Sequence, residues 1–243
     1  LAMTAVRPAA TRCLDCGLHK LCFPPSFDEH ALNRISQLVA QPSAFAKNET
    51  VYRLGDSMTA LYAVRSGALK TSVLLPSGEE QITGFYLPGE VVGLDNMGQS
   101  HCASTATALE KTTLCELPVS GISQLSQRLP ELQGHLFQIM STELRQDYQR
   151  LHLMAQASAE VRVVSFLLGL SARQQQRHLA INELRLAMSR ADLANHLGLA
   201  LETVSRALSQ LADDGLIEVS GKHIRIIHAE QLAARVAADC HSS

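Results

Sequence analysis

The sequence has no excess of charge of either sign: 21 Lys+Arg face 23 Asp+Glu over 243 residues, leaving −2 at pH 7. That balance excludes a histone-like polycation, so any contact with nucleic acid has to be local. Long apolar runs are missing too. The longest, Val163–Leu170, falls far short of the roughly 20 residues that a spanning helix needs. Leu1–Ala10 has no charged region followed by an apolar stretch, so no secretory signal is read there, and a cytoplasmic protein without a membrane partner is expected. Glycine-rich nucleotide loops, G-x-S-x-G elbows and H-E-x-x-H pairs are absent, and the ten histidines are scattered. No enzyme is expected. Internal repeats and low-complexity segments are absent as well. Aromatic residues make up only 4 %, yet the apolar share of 46 % is that of an ordinary globular chain and excludes wholesale disorder. At about 150 residues per domain, the length allows one large domain or two modest ones.

What is present divides into four regions. Residues 1–25 form a cysteine-rich loop closed by Pro24-Pro25. Ser26 with Glu29 three residues on reads as a capping box, opening a helix whose apolar stripe is Leu32, Ile35 and Leu38–Val39. Within residues 26–128 the pattern becomes short strands. Seven of the fourteen glycines lie between Gly55 and Gly98, separating runs such as Leu61–Arg65, Ala68–Leu75 and Gln81–Tyr86. Strands at that spacing predict an antiparallel roll of jelly-roll type.

Residues 129–158 read as one long helix. Phe137, Met140, Leu144, Asp147, Leu151, Met154 and Ser158 recur in alternating steps of 3 and 4, the seam of a parallel coiled coil. The competing reading is a helix lying on its own sheet through Leu132, Leu136 and Ile139. Asp147 is the odd member of the seam, because in a parallel dimer it faces its own copy. Two facing carboxylates repel. That repulsion is expected to leave the dimer marginal, unless Asp147 bends outward and stays wet.

The last region, residues 159–243, is expected to be mostly helical and to close with a short hairpin. Ser189-Arg190-Ala191-Asp192 reads as a capping box. After it, apolar residues fall at Leu193, Leu197, Leu199, Val204 and Ala207. Ala194 suits a close helix crossing, and Gly198 a turn with positive φ. This is a helix-turn-helix pattern. Its second helix, about 200–212, turns Glu202, Ser205, Arg206 and Ser209 away from the apolar face. Arg206 suits guanine O6/N7 and Glu202 a cytosine amine. Leu216–Val219 and His223–Ile227 flank Ser220-Gly221-Lys222 as a β-wing, with Lys222 reaching toward a phosphate. Charge adds nothing, since residues 172–228 hold seven Lys+Arg against six Asp+Glu, a difference of +1. Double-stranded DNA is the expected partner on pattern alone. A dimer would set two such helices about one DNA turn apart.

Six cysteines remain to be explained. Cys13-x2-Cys16-x5-Cys22 puts three thiols on one loop, which in a reducing cytosol suits metal binding or redox chemistry better than bracing. An iron–sulfur cluster, zinc and free thiols are all compatible with the spacing. A fourth ligand could be Cys102 or Cys115.

Taken together, the glycine-rich roll, long helix and winged helix-turn-helix resemble the cyclic-AMP receptor superfamily of bacterial transcription regulators. The fold implied is α+β, with an N-terminal cyclic-nucleotide-binding-like jelly-roll sensor domain, a long dimerisation helix and a C-terminal winged helix-turn-helix. Cys13–Cys22, Glu79–Leu94, Leu114–Pro118 and Glu202–Arg206 resemble, within it, the branch of fumarate and nitrate reduction regulators, which sense oxygen. The likeness spans Cys13 to Ile227. It implies that Cys13, Cys16, Cys22 and Cys115 hold a [4Fe–4S] cluster that favours a DNA-binding homodimer. Oxygen would convert the cluster to a [2Fe–2S] form and leave a monomer. The resemblance further implies that Glu202, Ser205 and Arg206 read a TTGAT half-site. Glu80, Gln81, Gly84 and Phe85 would touch RNA polymerase. Thiol redox, zinc or nitric oxide as the signal is the alternative within the same architecture. Gly17 stands where some relatives carry Ser, which bears on solvent access to the cluster. Cys102 and Cys240 match no role in the branch. Cyclic AMP is not expected as effector. Gly89-Glu90 is kept from that pocket, but His101–Leu109 contains no Arg or Lys, and an unpaired buried phosphate is prohibitively costly.

Overall fold

The computed structural model describes residues 13–23, 26–40 and 42–239; Pro24-Pro25 and Cys240 lie outside them. A turn of 3-10 helix at Cys13–Asp15 leads into the short helix α1, His19–Cys22. Helix α2 then runs Glu29–Leu38. Its cap is not Ser26 but Asp28, whose carboxylate accepts from Ala31 N at 2.8 Å. Both residue types cap well, and the one whose oxygen reaches the N3 amide sets the start.

Eight strands follow: β1 Ser43–Phe45, β2 Thr50–Tyr52, β3 Ala60–Ser66, β4 Leu69–Leu74, β5 Glu80–Tyr86, β6 Val91–Val92, β7 Thr105–Ala108 and β8 Thr112–Pro118. They form two four-stranded sheets, ordered β1-β8-β3-β6 and β2-β7-β4-β5, which is the expected roll. Beyond them come α3 Val119–Arg128, α4 Pro130–Gln156, α5 Ala159–Gln176, β9 Glu183–Arg185, α6 Arg190–Leu197, α7 Leu201–Asp213, β10 Ile217–Ser220, β11 His223–Ile226 and α8 Ala229–Asp239. The expectation that the hairpin closes the chain is corrected by α8, and β9 adds a third strand to the wing, ordered β10-β11-β9. Ser158 does not extend the seam. It caps α5, accepting from Val161 N.

By internal contacts the chain forms two units, one reaching up to Leu69 and taking in Phe85–Gln138, the other made of Lys70–Gly84 and Ile139 onward. The first unit has two cores. One lies in the roll, around Tyr52, Val64, Leu69, Val92, Cys102 and Leu114. The other joins Phe27, Leu32 and Ile35 to Leu125 of α3 and Leu132 of α4. Each such fully buried side chain contributes about 1.5–3 kcal/mol. Thus Leu132 packs against a helix rather than on the sheet. In the second unit, α5 buries Val161, Val164 and Leu167, and α7 buries Val204, Leu208 and Leu211. Leu232 of α8 is fully buried.

Candidate metal centre and nucleic-acid interface

Strand β8 alternates. Leu114 is fully buried in the roll, whereas Thr113, Cys115 and Leu117 face the other side and are half-buried. Cys115 is thereby brought to the cysteine loop. Cys13, Cys16, Cys22 and Cys115 line one small cavity, partly open to solvent, whose remaining walls are Phe23, Val39, Ala63, Arg65 and Leu117. Cys102 lines the roll's core instead. Among the described residues, no three His, Cys, Asp or Glu side chains form a ligand set for a single metal ion. The four thiols are separate walls of one apolar cavity. An all-sulfur donor set of this kind suits soft metals and iron–sulfur clusters.

The loop is fixed at both ends. Cys13 N donates to Ser36 Oγ of α2 at 2.9 Å, and Ser36 Oγ donates to Leu32 O. The Cys22 carbonyl accepts from His135 Nε2 of α4 at 2.9 Å. Between them, Leu21 seats on Gly89. That glycine has φ +88, and a Cβ there would sit 2.7 Å from Leu21 Cβ, so only glycine fits. Gly17 is different: a Cβ there meets nothing within 4 Å, so a Ser would be accommodated.

Burial pushes the Cys22 thiol up to about 12, reinforced by Cys16, Cys115 and Cys13. Burial likewise raises Cys13 and Cys115, against the Ser36 hydrogen bond in one case and nearby Arg65 in the other. These three are therefore thiols at neutral pH, which is poor ground for thiolate chemistry unless a metal replaces the proton.

Within His101–Leu109, which holds no Arg or Lys, Ser104 Oγ donates to Asp95 at 2.8 Å and Ala103 N donates to Asn96. Asp95 is a carboxylate, which repels an anion. Glu90 is occupied with Leu87 N.

In the second unit the capping box forms as read. Ser189 accepts from Asp192 N, and Asp192 accepts from Ser189 N at 3.0 Å. Gly198 closes α6 with φ +63. On α7, Glu202, Ser205, Arg206 and Ser209 are all exposed, opposite the buried Val204, Leu208 and Leu211. The hydroxyl of Ser205 donates back to Leu201 O at 3.0 Å. Lys222 sits on the wing turn, but its Nζ donates to Ala187 O at 2.7 Å, so a phosphate has only the remaining ammonium protons.

The strand expected to meet polymerase is engaged. Asn195 of α6 pairs with the β5 backbone as a neighbouring strand would, accepting from Ile82 N at 2.6 Å and donating to Glu80 O at 2.7 Å. Gln81 donates to Asn195 O, and Lys70 bridges Glu80 and Asp192 at 3.2 and 3.1 Å. Phe85, expected beside them, is 5 % exposed and belongs to the core.

On α4, Phe137, Leu144 and Leu151 are 58, 52 and 59 % exposed. Asp147 pairs with Arg150 one turn on at 2.9 Å, and Met140 and Met154 are half-buried. His135, Asn195 and Lys70 had not been singled out from sequence. For His135 the available signal was its phase with Leu132, Leu136 and Ile139 on one helix face.

Residues 161–235 match the Crp-like helix-turn-helix domain, and residues 42–128 match the cyclic nucleotide-binding domain. The transcriptional activator protein FnrA of Stutzerimonas stutzeri is 43 % identical over 222 residues, covering 91 % of each chain. The fumarate and nitrate reduction regulatory protein of Salmonella typhimurium is 38 % identical over 93 % of this chain and 90 % of its own. Among solved structures, FixK2 from Bradyrhizobium japonicum is 31 % identical with a TM-score of 0.74, over 81 % of this chain and 96 % of that one. No helix among the described residues is long and apolar enough to cross a membrane. Roll, long helix, winged helix-turn-helix and these likenesses together establish that the chain belongs to the Crp/FNR family of transcription regulators.

Proposed function

We propose that this regulator responds to oxygen through a [4Fe–4S] cluster held by Cys13, Cys16, Cys22 and Cys115. One observation carries the reading: a loop and a strand distant in sequence bring four thiols to one apolar cavity. When bound, the cluster would supply an oxygen-labile centre. The protein's own part is to hold four sulfurs in place, exclude bulk water with Phe23, Val39 and Leu117, and tie the loop to α2 and α4. With the site loaded, α4 pairs with its copy through Phe137, Met140, Leu144, Asp147, Leu151 and Met154. Glu202, Ser205 and Arg206 then read TTGAT-type half-sites, with Ser209 and Lys222 beside them, in the cytoplasm. Glu80, Gln81 and Gly84 form the surface for polymerase. Cyclic AMP is not the effector in this reading, since His101–Leu109 offers a phosphate no Arg or Lys.

The test is iron and acid-labile sulfide per chain in protein purified without oxygen. About four of each is expected. Serine at position 13, 16, 22 or 115 should lower both, while Cys102→Ala should leave both unchanged. Zinc, or no metal, would remove oxygen sensing and leave the DNA-binding regulator.

A further inference from the structure

We infer that His135 is the positioning residue that transmits the state of the cysteine loop to helix α4. It lies 113 residues from Cys22, yet its Nε2 meets the Cys22 carbonyl at 2.9 Å. A carbonyl only accepts, so Nε2 is protonated and donates to it, and Nδ1 is the ring's second polar nitrogen. That Nδ1 is buried and has no hydrogen-bond partner among the described residues. The ring lies edge-on to Phe27 at 6.1 Å and tilted to Phe23 at 6.4 Å, and those two phenyls stack on each other at 5.7 Å. Leu132 and Leu136 belong to the same apolar cluster. An imidazole is a poor filler for such a site, because burying an orphaned nitrogen is costly. Leucine would pack there without that cost. What histidine adds is the bond to Cys22.

The placement gives the bond a consequence. Cys22 is one wall of the four-cysteine cavity, and its main chain is what His135 holds. On a helix of 3.6 residues per turn, Phe137 points about 200° away from His135. The face bearing Leu132, His135 and Leu136 is therefore bound to the cysteine loop, and the opposite face starts the exposed stripe of Phe137, Leu144 and Leu151. A shift of the Cys22 main chain pulls on the first turns of α4 before it reaches any other part of the stripe. Ser36 holds the other end of the loop, at Cys13, to α2. The Cys22 end is held by a hydrogen bond to the helix that carries the stripe.

The consequence for dimerisation rests on the cluster reading; the tie itself does not. His135→Leu removes the donor and keeps the bulk. His135→Gln places an amide N–H near the position of Nε2. His135→Asn keeps polarity but falls short of Cys22, which covers the case of a leucine variant that fails to fold. Each is loaded anaerobically with ferrous iron and sulfide, its iron counted, and its monomer–dimer constant measured by sedimentation with and without iron. In wild type, iron is expected to tighten the dimer. His135→Leu and His135→Asn should bind the same iron and lose about tenfold of that tightening, equivalent to about 1.4 kcal/mol of coupling. His135→Gln should restore most of it. An unchanged iron effect in both Leu and Asn variants overturns the inference. If wild type binds no iron, the cluster reading fails, and the tie is judged on metal-free protein by iodoacetamide. Cys22 should then alkylate several-fold faster in the Leu and Asn variants, with buried Cys102 as the unchanged control. Equal Cys22 rates would overturn the tie.

Discussion

His196 shows what one buried base does to the second unit. Burial holds its pKa down to about 4 from 6.5, with Arg150 and Arg173 adding to the effect and the Ile82 carbonyl opposing it. The ring packs edge-on to Phe166 at 5.8 Å, and Nδ1 meets Ile82 O at 3.2 Å. Because the folded value lies below the unfolded one, the unfolded chain binds a proton first as pH falls. Above pH 6.5 neither state is protonated and the full contribution is present. Between 6.5 and about 4 only the unfolded state is protonated, and stability drains away. Below that both carry the proton and the loss stops, at a total on the order of 3 kcal/mol. Urea titrations at pH 7 and pH 4.5 should show this loss in wild type. It should be largely missing in His196→Asn, whose amide reaches the same carbonyl without titrating. Equal pH slopes for the two proteins would refute the assignment. Cys13, Cys22 and Cys115 follow the same logic with opposite charge: burial keeps each thiol neutral, and a metal would have to displace the proton.

At the scale of elements, caps and faces decide which sequence signals are realised. Asp28→Ala removes the oxygen that holds Ala31 N and should destabilise the first unit by about 1 kcal/mol. Ser26→Ala should fall within about 0.5 kcal/mol of wild type, as an exposed change away from any cap does. Thermal melts of the two variants separate these outcomes directly. Both residues are good caps, and only a built backbone shows which oxygen meets an open amide; that is why the sequence placed the start two residues early. The Ser189 box was legible because Asp192 answers at the required position, so the two residues specify each other. Reading helix α7 was legible for a similar reason, with Val204, Leu208 and Leu211 marking the inner face and thereby the outer one. From that outer face, Arg206→Ala should cost about 1–3 kcal/mol of discrimination for a TTGAT half-site, measured by competition against a site altered at its guanine. Uniform weakening on all sequences would make Arg206 a phosphate contact instead. Helix α8 was hidden. It has no Ser, Thr or Asn cap, and its anchoring depends on Leu232 and on Arg235 bridging Glu160 and Asp214 at 2.9 and 2.7 Å, partners far away in sequence. The burial of Phe85 was hidden too, because neighbours on a strand face opposite ways and a resemblance does not say which side is inside.

For the whole molecule the quantity on which the proposed function turns is how strongly α4 would pair with a second copy. Phe137, Leu144 and Leu151 are each more than half exposed at steps of seven, which is the repeat of a two-stranded seam. Asp147 interrupts it. In the single chain its carboxylate is wet at 56 % exposure and paired along the helix with Arg150, which also donates to the Thr83 carbonyl. An exposed pair of that kind is worth about 0–1 kcal/mol, so little holds the charge in place. Pairing two helices brings two such carboxylates together and strips part of their water, which costs several kcal/mol unless they turn aside. Under the proposed function the stripe favours association and Asp147 opposes it, and a coupling of about 1–3 kcal/mol from the cysteine site would be enough to tip the balance. Asp147→Ala should raise the dimer fraction of metal-free protein in air, as sedimentation at fixed concentration would show. Leu144→Ala added to it should bring the monomer back, because an apolar seam residue is then missing from each helix. Were Asp147→Ala to stay monomeric in the metal-free state, the carboxylate would be a bystander that bends into solvent. Any marginality of the proposed dimer would then have to come from the half-buried Met140 and Met154, whose side chains are already partly engaged within their own chain.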